Sequence, residues 1–573
     1  MDYMKKIFLI SFIAIMSSYF TLSLGEGRGE VSLLPDTIIA FPGAEGFGKY
    51  TSGGRGGKVV YVTTLADDKE GTTEGSLRWA IKQYPDEPLT VCFAVSGEIR
   101  LVDRLYFNRR RNFTLAGQTA PGMGIVITHH KVEFGGSGNF IVRNLRFRIG
   151  RVDANDNFIK ANAVGAENCD NYIFDHCDFG WSTEENMNSN DSHFITIQYC
   201  IVHEGLYNSG HPKGSRGYGC QWGGSPASYH HNLLINNNAR SCRFNGAQSN
   251  DWVVYIDYIN NVQYNYEGGS TGCYGGENTA ELAEGEYNGL NSAHECNFIN
   301  NYYKVGPNTT KSQKDFVSVE AARSGATSWG PSRWYLSGNV FDGVPAATAD
   351  NWSAVHAKSP YSKTDTLRVD TLIRPATPWW RWTADSIYGR YDFDSYAYAA
   401  GHYQSAEEAY ETVKDTVGCF PRDHVEKRLI ADLHAGTHTY EGSKGKKKGI
   451  IDAPEDAEGF YAYPDSLNYE LASYDTDLDG MPDEWESANG CNPEVADNNL
   501  RHSSGYTMLE MYLDYAMTHK SPMDDGYRPS EEGLEDLRFE DLKIQKILRD
   551  GQIFIQRGAN TYTLEGQIIE AGK

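Results

Sequence analysis

Long hydrophobic runs are missing from all but the first 20 of the 573 residues. No later stretch reaches the roughly 18 apolar residues that a membrane-crossing helix needs, so the mature chain is expected to lack a stable membrane span. The one apolar run, from Ile7 to Phe20, is itself short for a span and follows Lys5 and Lys6. It reads as an export signal over residues 1–25 and predicts a secreted, periplasmic or cell-surface protein. No cysteine follows the run closely, which argues against a lipoprotein anchor. Positive charge is also in short supply, with 52 Lys+Arg against 76 Asp+Glu and a net charge of −24. That balance argues against a general nucleic-acid binder. There is no Cys-x-x-Cys pair and no plausible zinc cluster. The charged fraction of 22% is too ordinary for a disordered chain, and 40% hydrophobic residues suffice for a large core.

Glycine is plentiful at 59, and aromatics make up 13%. That mixture suits turn-rich β structure. From about residue 85 to 345 one short pattern recurs: apolar and polar residues alternate for several positions, then break at Asn, Gly or Asp. Phe140 to Phe147, Tyr172 to Phe179, Phe194 to Val202 and Ser228 to Ile235 are examples. Period-two alternation predicts strands. A return interval of roughly 22 to 40 residues without intervening helices predicts a solenoid, and a right-handed parallel β-helix in particular. A β-sandwich is the competing architecture. Asn144, Asn232, Asn261, Asn301 and Asn339 fall near strand ends, where asparagine tolerates left-handed backbone and ladders with its copies in adjacent coils.

Cys177, Cys200, Cys220 and Cys242 recur every 20 to 23 residues, a spacing that suits small apolar thiols stacked in a repetitive core. Disulfides stay open for Cys273, Cys296, Cys419 and Cys491. Helical spacing over Ala406 to Lys414 and Asp423 to His434 predicts short helices around the solenoid, and Gly505 to Leu513 reads as another. Residues 441–470, with Lys444, Lys446, Lys447 and Lys448, read as a solvated linker.

Several stretches together resemble the pectate lyases of polysaccharide lyase family 1, in the form common among gut Bacteroidetes. They include Ala40 to Gly48, Gly53 to Gly57, Gly75 to Ile81, Leu115 to Gly122, Asp175 to Glu185, His211 to Gly214, Gly219 to Gly224 and Tyr229 to Leu234. The resemblance covers about residues 38–440 and implies an all-β parallel β-helix domain there. It also implies eliminative cleavage of (1,4)-linked galacturonan, an acidic polysaccharide. Such cleavage removes the C5 proton, which lies α to a carboxylate, so the carboxylate must be neutralised and a base supplied.

By that resemblance Arg240 is the base, Arg243 pairs with a substrate carboxylate, and Lys213 with His211 binds substrate. Arginine is a poor base, and serves only where its surroundings disfavour its charge. The resemblance further implies a catalytic Ca²⁺ on Glu184 and Glu185, with Asp156 and Asn162 near the remaining ligand positions. Asn162 stands where the family usually has Asp, and Cys242 where it has Pro. Asp175 and His176 read as structural.

From Asp475 to Glu486 the chain carries an EF-hand-like loop. Asp475, Asp477, Asp479, Asp483 and Glu486 take positions 1, 3, 5, 9 and 12, Gly480 takes position 6, and Met481 would add its carbonyl. This predicts a small calcium-binding segment over 471–520 that staples the C-terminal part. Residues 540–573 are β-rich and resemble the C-terminal sorting signals of the type IX secretion route. A polygalacturonase on the same fold and a non-catalytic pectin-binding surface protein are the rival readings. The chain lacks the Asn-Thr-Asp and Arg-Ile-Lys runs of the former, and Asn162 and Cys242 favour the latter. A monomer is expected.

Overall fold

The computed structural model describes residues 38–519 apart from 154, 247–253, 267–271, 277–293, 310–314, 320–331, 358–366, 375–393, 395–396, 402 and 461–466, and four short strands after residue 540. The export signal over 1–25 lies outside the described residues.

Three all-parallel sheets form the body, two of nine strands and one of ten. Each coil visits them in turn. One coil runs through Glu185–Asn190 in sheet 1, His193–Gln198 in sheet 2 and Ile201–His203 in sheet 3. The next passes through Tyr218–Trp222, Ala227–His230 and Leu233–Ile235. This is the right-handed parallel β-helix, not the sandwich. In-register stacking puts like on like inside it: Phe113, Phe140 and Tyr172 lie on successive sheet-2 strands with ring centroids 5.1 and 4.9 Å apart.

The turn from sheet 2 to sheet 3 is two residues long. Its first residue is left-handed in coil after coil: Asn144, His176, Tyr199, His231, Asn260 and Asn300 have φ from 49° to 58°. Its second residue builds the ladder. Asn232, Asn261 and Asn301 each donate a backbone N–H to the side-chain oxygen of the next asparagine, at 3.1, 2.9 and 2.9 Å, and Asn339 continues to Asn351 at 2.8 Å. Cys200 joins below by donating its N–H to Asn232 at 3.0 Å. Asn144 occupies the first turn position instead, and its amide is bonded to the backbone of Phe420. Asp175 is paired with Arg143 at 2.8 Å, and His176 stacks on Tyr199.

All ten cysteines are free, so the disulfides left open for Cys273, Cys296, Cys419 and Cys491 do not form. Cys220, Cys242 and Cys273 are an inward column of sheet 1, each above the last, and fill core volume as thiols. The first part of the segment 441–470 lies against the solenoid. Ile450 and Ile451 are fully buried, Ile451 against sheet 3, and Tyr207 donates its N–H to the Ile451 carbonyl at 2.9 Å.

Two capped helices pack beside sheet 3. Ala406–Thr416 starts at Ser405 and His424–Ala435 at Asp423, each with a reciprocal cap to a glutamate three residues on. A buried ion network docks the second one. Arg146 reaches Glu426, Arg148 reaches Asp178 and Asp423, and Arg428 reaches Glu204 at 2.7 Å. His203 lies between Asp178 and Glu204, at 3.1 and 3.4 Å. Three helices, Leu471–Tyr474, Asp483–Asn489 and Met508–Thr518, follow. Through Met481, Trp485, Leu509, Tyr512 and Leu513 this segment covers Tyr61, Cys92 and Ala116 on the first strands of sheet 2. Ile544–Arg549, Gln552–Arg557, Asn560–Tyr562 and Ile568–Glu570 form an antiparallel sheet.

Burial pushes the His203 imidazole down, but Asp178 and Glu204 outweigh it and raise the pKa above the ordinary value. Its proton therefore stabilises the fold below the ordinary histidine range, and that contribution is lost as pH rises through the raised value. The thermal midpoint is expected to fall across that window, and the fall should flatten in His203→Gln; an unchanged slope would contradict the assignment. Glu426→Ala, which leaves Arg146 with only the more distant Asp423 at 3.5 Å as a carboxylate partner, is expected to cost about 3 kcal/mol by denaturant titration.

Candidate active site

Sheet 1 alternates inward and outward columns. Next to the buried thiols of Cys220, Cys242 and Cys273 stand Gln221, Arg243 and Tyr274, paired in register across three coils on the opposite face. The loops arriving from sheet 3 border this face. Arg240 belongs to one of them, two residues before the strand Cys242–Phe244. Its backbone is left-handed, with φ 53°, and its carbonyl accepts the Cys220 N–H at 2.7 Å.

The Arg240 guanidinium is gripped on all sides. Nε donates to the Tyr274 hydroxyl at 3.1 Å, and Nη1 donates to Gln221 Oε1 at 3.0 Å. The Tyr218 ring lies 4.2 Å from it, and Glu185 pairs with it. Gln221 Oε1 also accepts from Arg243 Nη1 at 2.9 Å, so one amide oxygen bridges both arginines. Arg240 is held below the ordinary guanidinium range chiefly by burial, with help from the Arg243 charge and against the pull of Tyr274 and Glu184. Cys242 fills the inward column, and Arg243 lies on the opposite face of the sheet, buried, with Nη1 donating to Gln221 and Asn245.

His211, Lys213 and Arg216 lie on the loop before Tyr218–Trp222. His211 Nδ1 accepts the Lys213 N–H at 3.0 Å, which leaves Nε2 to donate to Glu184 at 2.9 Å. Arg216 pairs with the other Glu184 oxygen and lies 4.7 Å from the Tyr218 ring, so that ring sits between two guanidiniums. Burial raises the Glu184 pKa, but Arg216 and His211 outweigh it and hold the carboxyl below its usual range. The Lys213 side chain is exposed.

This donor set does not fit a catalytic cation. Glu184 is taken by Arg216 and His211, and Glu185 by Arg240. Asp156 is on an exposed turn whose carboxylate anchor is Asp153, and Asn162 is half-buried and neutral. Among the described residues, clusters of three or more acidic, His or Cys groups close enough together to hold an ion occur only between Asp475 and Asp497.

There the fit is good. Asp475, Asp477 and Asp479 converge, and Asp479, Glu486 and Asp497 form an overlapping cluster. Glu486 is fully buried and neither carboxylate oxygen has a hydrogen-bond partner. Burial, then repulsion among these carboxylates, pushes Asp479 up to about 7 and Glu486 up to about 8. Gly480, with φ 100°, makes the turn. Met481 buries its side chain between loop and solenoid. Asp483 is turned aside, since both its oxygens accept from Thr476, at 2.8 and 2.7 Å. Asp497, eleven residues past the motif, stands in its place.

The probable pectate lyase C of Aspergillus fumigatus (strain CBS 144.89) is 31% identical over 479 residues, spanning 83% of this chain and 93% of its own. That of Aspergillus terreus is 32% identical over 480 residues, spanning 83% and 94%. The chain belongs to the pectate lyase family. It is thus a polysaccharide lyase. No family model matches this pectate lyase. Similar solved structures include pectate lyase Bsp165PelA from Bacillus sp. N165 in complex with trigalacturonate, at 16% identity, 66% and 99% coverage and TM-score 0.37. Another is jun a 1 from cedar pollen, at 13% identity, 68% and 97% coverage and TM-score 0.40.

Because Asp497 and Glu486 offer unpartnered oxygens to the loop, Asp497→Ala is expected to weaken Ca²⁺ binding to this pectate lyase about tenfold or more by calorimetry, and Asp483→Ala less. Loss of binding in Asp483→Ala alone would restore the ninth position of the motif as a ligand.

Proposed function

We propose that this pectate lyase cleaves polygalacturonate by β-elimination with Arg240 as the base. Neutral Arg240 takes the C5 proton, the electron pair forms the C4–C5 double bond, and the glycosidic oxygen at C4 leaves and picks up a proton. Water adds to neither fragment. One observation carries the assignment: Arg240 is a half-buried arginine, fixed by Gln221, Tyr274 and its ion-pair partner Glu185 beside a second cation. Burial and the neighbouring Arg243 charge disfavour the protonated form, against the opposing pull of Tyr274, Glu184 and Glu185.

Arg243 and Lys213 meet substrate carboxylates, and Arg243 supplies the planar fork that matches them. His211 orients the Lys213 loop through the backbone. Glu184 and Glu185 hold Arg216 and Arg240 in position, and no step is routed through a cation at this pair. Calcium is assigned to the C-terminal loop, with Asp475, Asp477, Asp479, Glu486 and Asp497 as side-chain ligands and Met481 as a carbonyl donor. There it adds stability by binding only the folded form. The export signal, and residues 540–573 as a sorting tail of the Bacteroidetes kind, support action outside the cell on pectin. Among the described residues no helix is long and apolar enough to cross a membrane.

Arg240→Lys is expected to lower kcat on the order of 10²-fold or more, the usual scale for loss of a general base, with KM nearly unchanged. Arg243→Lys and Lys213→Ala are expected to act mainly on KM. A kcat loss that follows Arg243 rather than Arg240 would move the base three residues along the chain. Asp477→Ala with Glu486→Ala is expected to lower the thermal midpoint in Ca²⁺ while turnover at low temperature stays near wild type. Loss of turnover with the midpoint intact would place the loop in the active site.

A further inference from the structure

Lys444, Lys446, Lys447 and Lys448 crowd five positions of a chain whose net charge is −24. The fold brings them beside the loops that lead from sheet 3 to the sheet-1 face. Glu441 and Lys448 pair as an antiparallel bridge, so the segment doubles back on itself. Asp452 fixes its backbone, with one oxygen accepting the N–H groups of Lys444 and Gly445, both at 2.7 Å, and the other that of Asn208 at 2.8 Å. Lys447 lies 4.6 Å from the Tyr207 ring centroid. Residues 207–216 are the loop that carries His211, Lys213 and Arg216. Two coils further on, Asn265 donates its amide to the Lys448 carbonyl at 2.8 Å. Between them Gly449 packs against Asn236, at the start of the turn that leads to Arg240.

The loop therefore runs across the starts of the turns from sheet 3 to sheet 1 in three successive coils. Its backbone is buried at Gly442, Gly449 and Ile450, whereas Lys444, Lys446 and Lys448 are exposed. None of these three ammonium groups has an ion-pair partner among the described residues. Holding a loop rigid while leaving its charges unmatched suits a ligand that brings its own anions. Polygalacturonate carries one carboxylate on every sugar, and a long chain held at Arg243 has more carboxylates to place. The Debye length of about 8 Å at physiological ionic strength confines the help to cations lying along the path, so distant lysines would not serve.

We infer that Lys444, Lys446 and Lys448 form a rail that binds carboxylates of an acidic polysaccharide beyond the sugars at Arg240 and Arg243. The inference rests on the polygalacturonate reading above. The test compares wild type with K444Q/K446Q/K448Q, and with the charge reversal K444E/K446E/K448E, on long polygalacturonate and on trigalacturonate at low and high salt. Exposed ion pairs are individually weak, so three together are expected to raise the polymer KM by roughly three- to tenfold relative to the trimer KM. The salt dependence of the polymer KM should shrink, and the thermal midpoint should hold. An equal change on both substrates, or no change on either, would overturn the rail. Retardation of wild type, but not the variants, in polygalacturonate gels reports binding without turnover. It would uphold the rail even if no unsaturated product formed and the lyase reading fell.

Discussion

In-register parallel stacking is the constraint on which this molecule depends. Successive coils lie about 4.8 Å apart, so each side chain meets its counterpart one coil away and must tolerate it. Inside, the constraint is met by aromatic stacks, thiols and the asparagine ladder. Outside, the same register lines up Gln221, Arg243 and Tyr274 on one face of sheet 1. Arg240 enters that column from a left-handed turn. Its neighbours come from four different coils, and only the stacking brings them together.

Charge is managed at two places with opposite outcomes. Beside sheet 3 the buried network is closed, each arginine matched by carboxylates, and it docks a helix. At sheet 1 the balance is left positive. Glu184 and Glu185 are matched, while Lys213, Lys444, Lys446 and Lys448 are exposed. A negative chain that acts on a polyanion has to concentrate its cations locally. On the proposed role of Arg240, alkaline pH favours proton abstraction and at the same time removes the stabilising charge on His203, so activity and stability draw apart as pH rises.

The fold was legible because its period repeats. Asn232, Asn261, Asn301 and Asn339 stood out as ladder residues, whereas Asn144 looked the same in sequence but occupies the neighbouring turn position. The motifs singled out Arg240, Arg243, His211 and Lys213, and the structure joins the two arginines at Gln221 and sets His211 and Lys213 on one loop. Arg216, Tyr218, Gln221 and Tyr274 were missed, since a grip made between coils leaves no spacing in one strand. Gln221 did lie inside the Gly219 to Gly224 motif, and strand alternation placed it outward. The acidic pair Glu184–Glu185 suggested a cation because the arginines that meet it arrive from 32 and 55 residues later. In the C-terminal loop, spacing identified Asp475, Asp477, Asp479 and Glu486. It could not foresee that Thr476 would capture Asp483, or that Asp497 would fold back. The lysines of residues 444–448 read as solvated because nothing in the sequence links them to Asn208 and Asn265.

The pH dependence of kcat, followed as the ultraviolet absorbance of the unsaturated product from polygalacturonate, tests the role of Arg240 most directly. Elimination leaves a double bond conjugated with the carboxylate, so absorbance and new reducing ends should appear together. The rate should climb with pH until the fold yields, and the climb should be lost or displaced in Arg240→Lys. Reducing ends without absorbance, or an Arg240→Lys profile that overlays wild type, would contradict proton abstraction by this arginine.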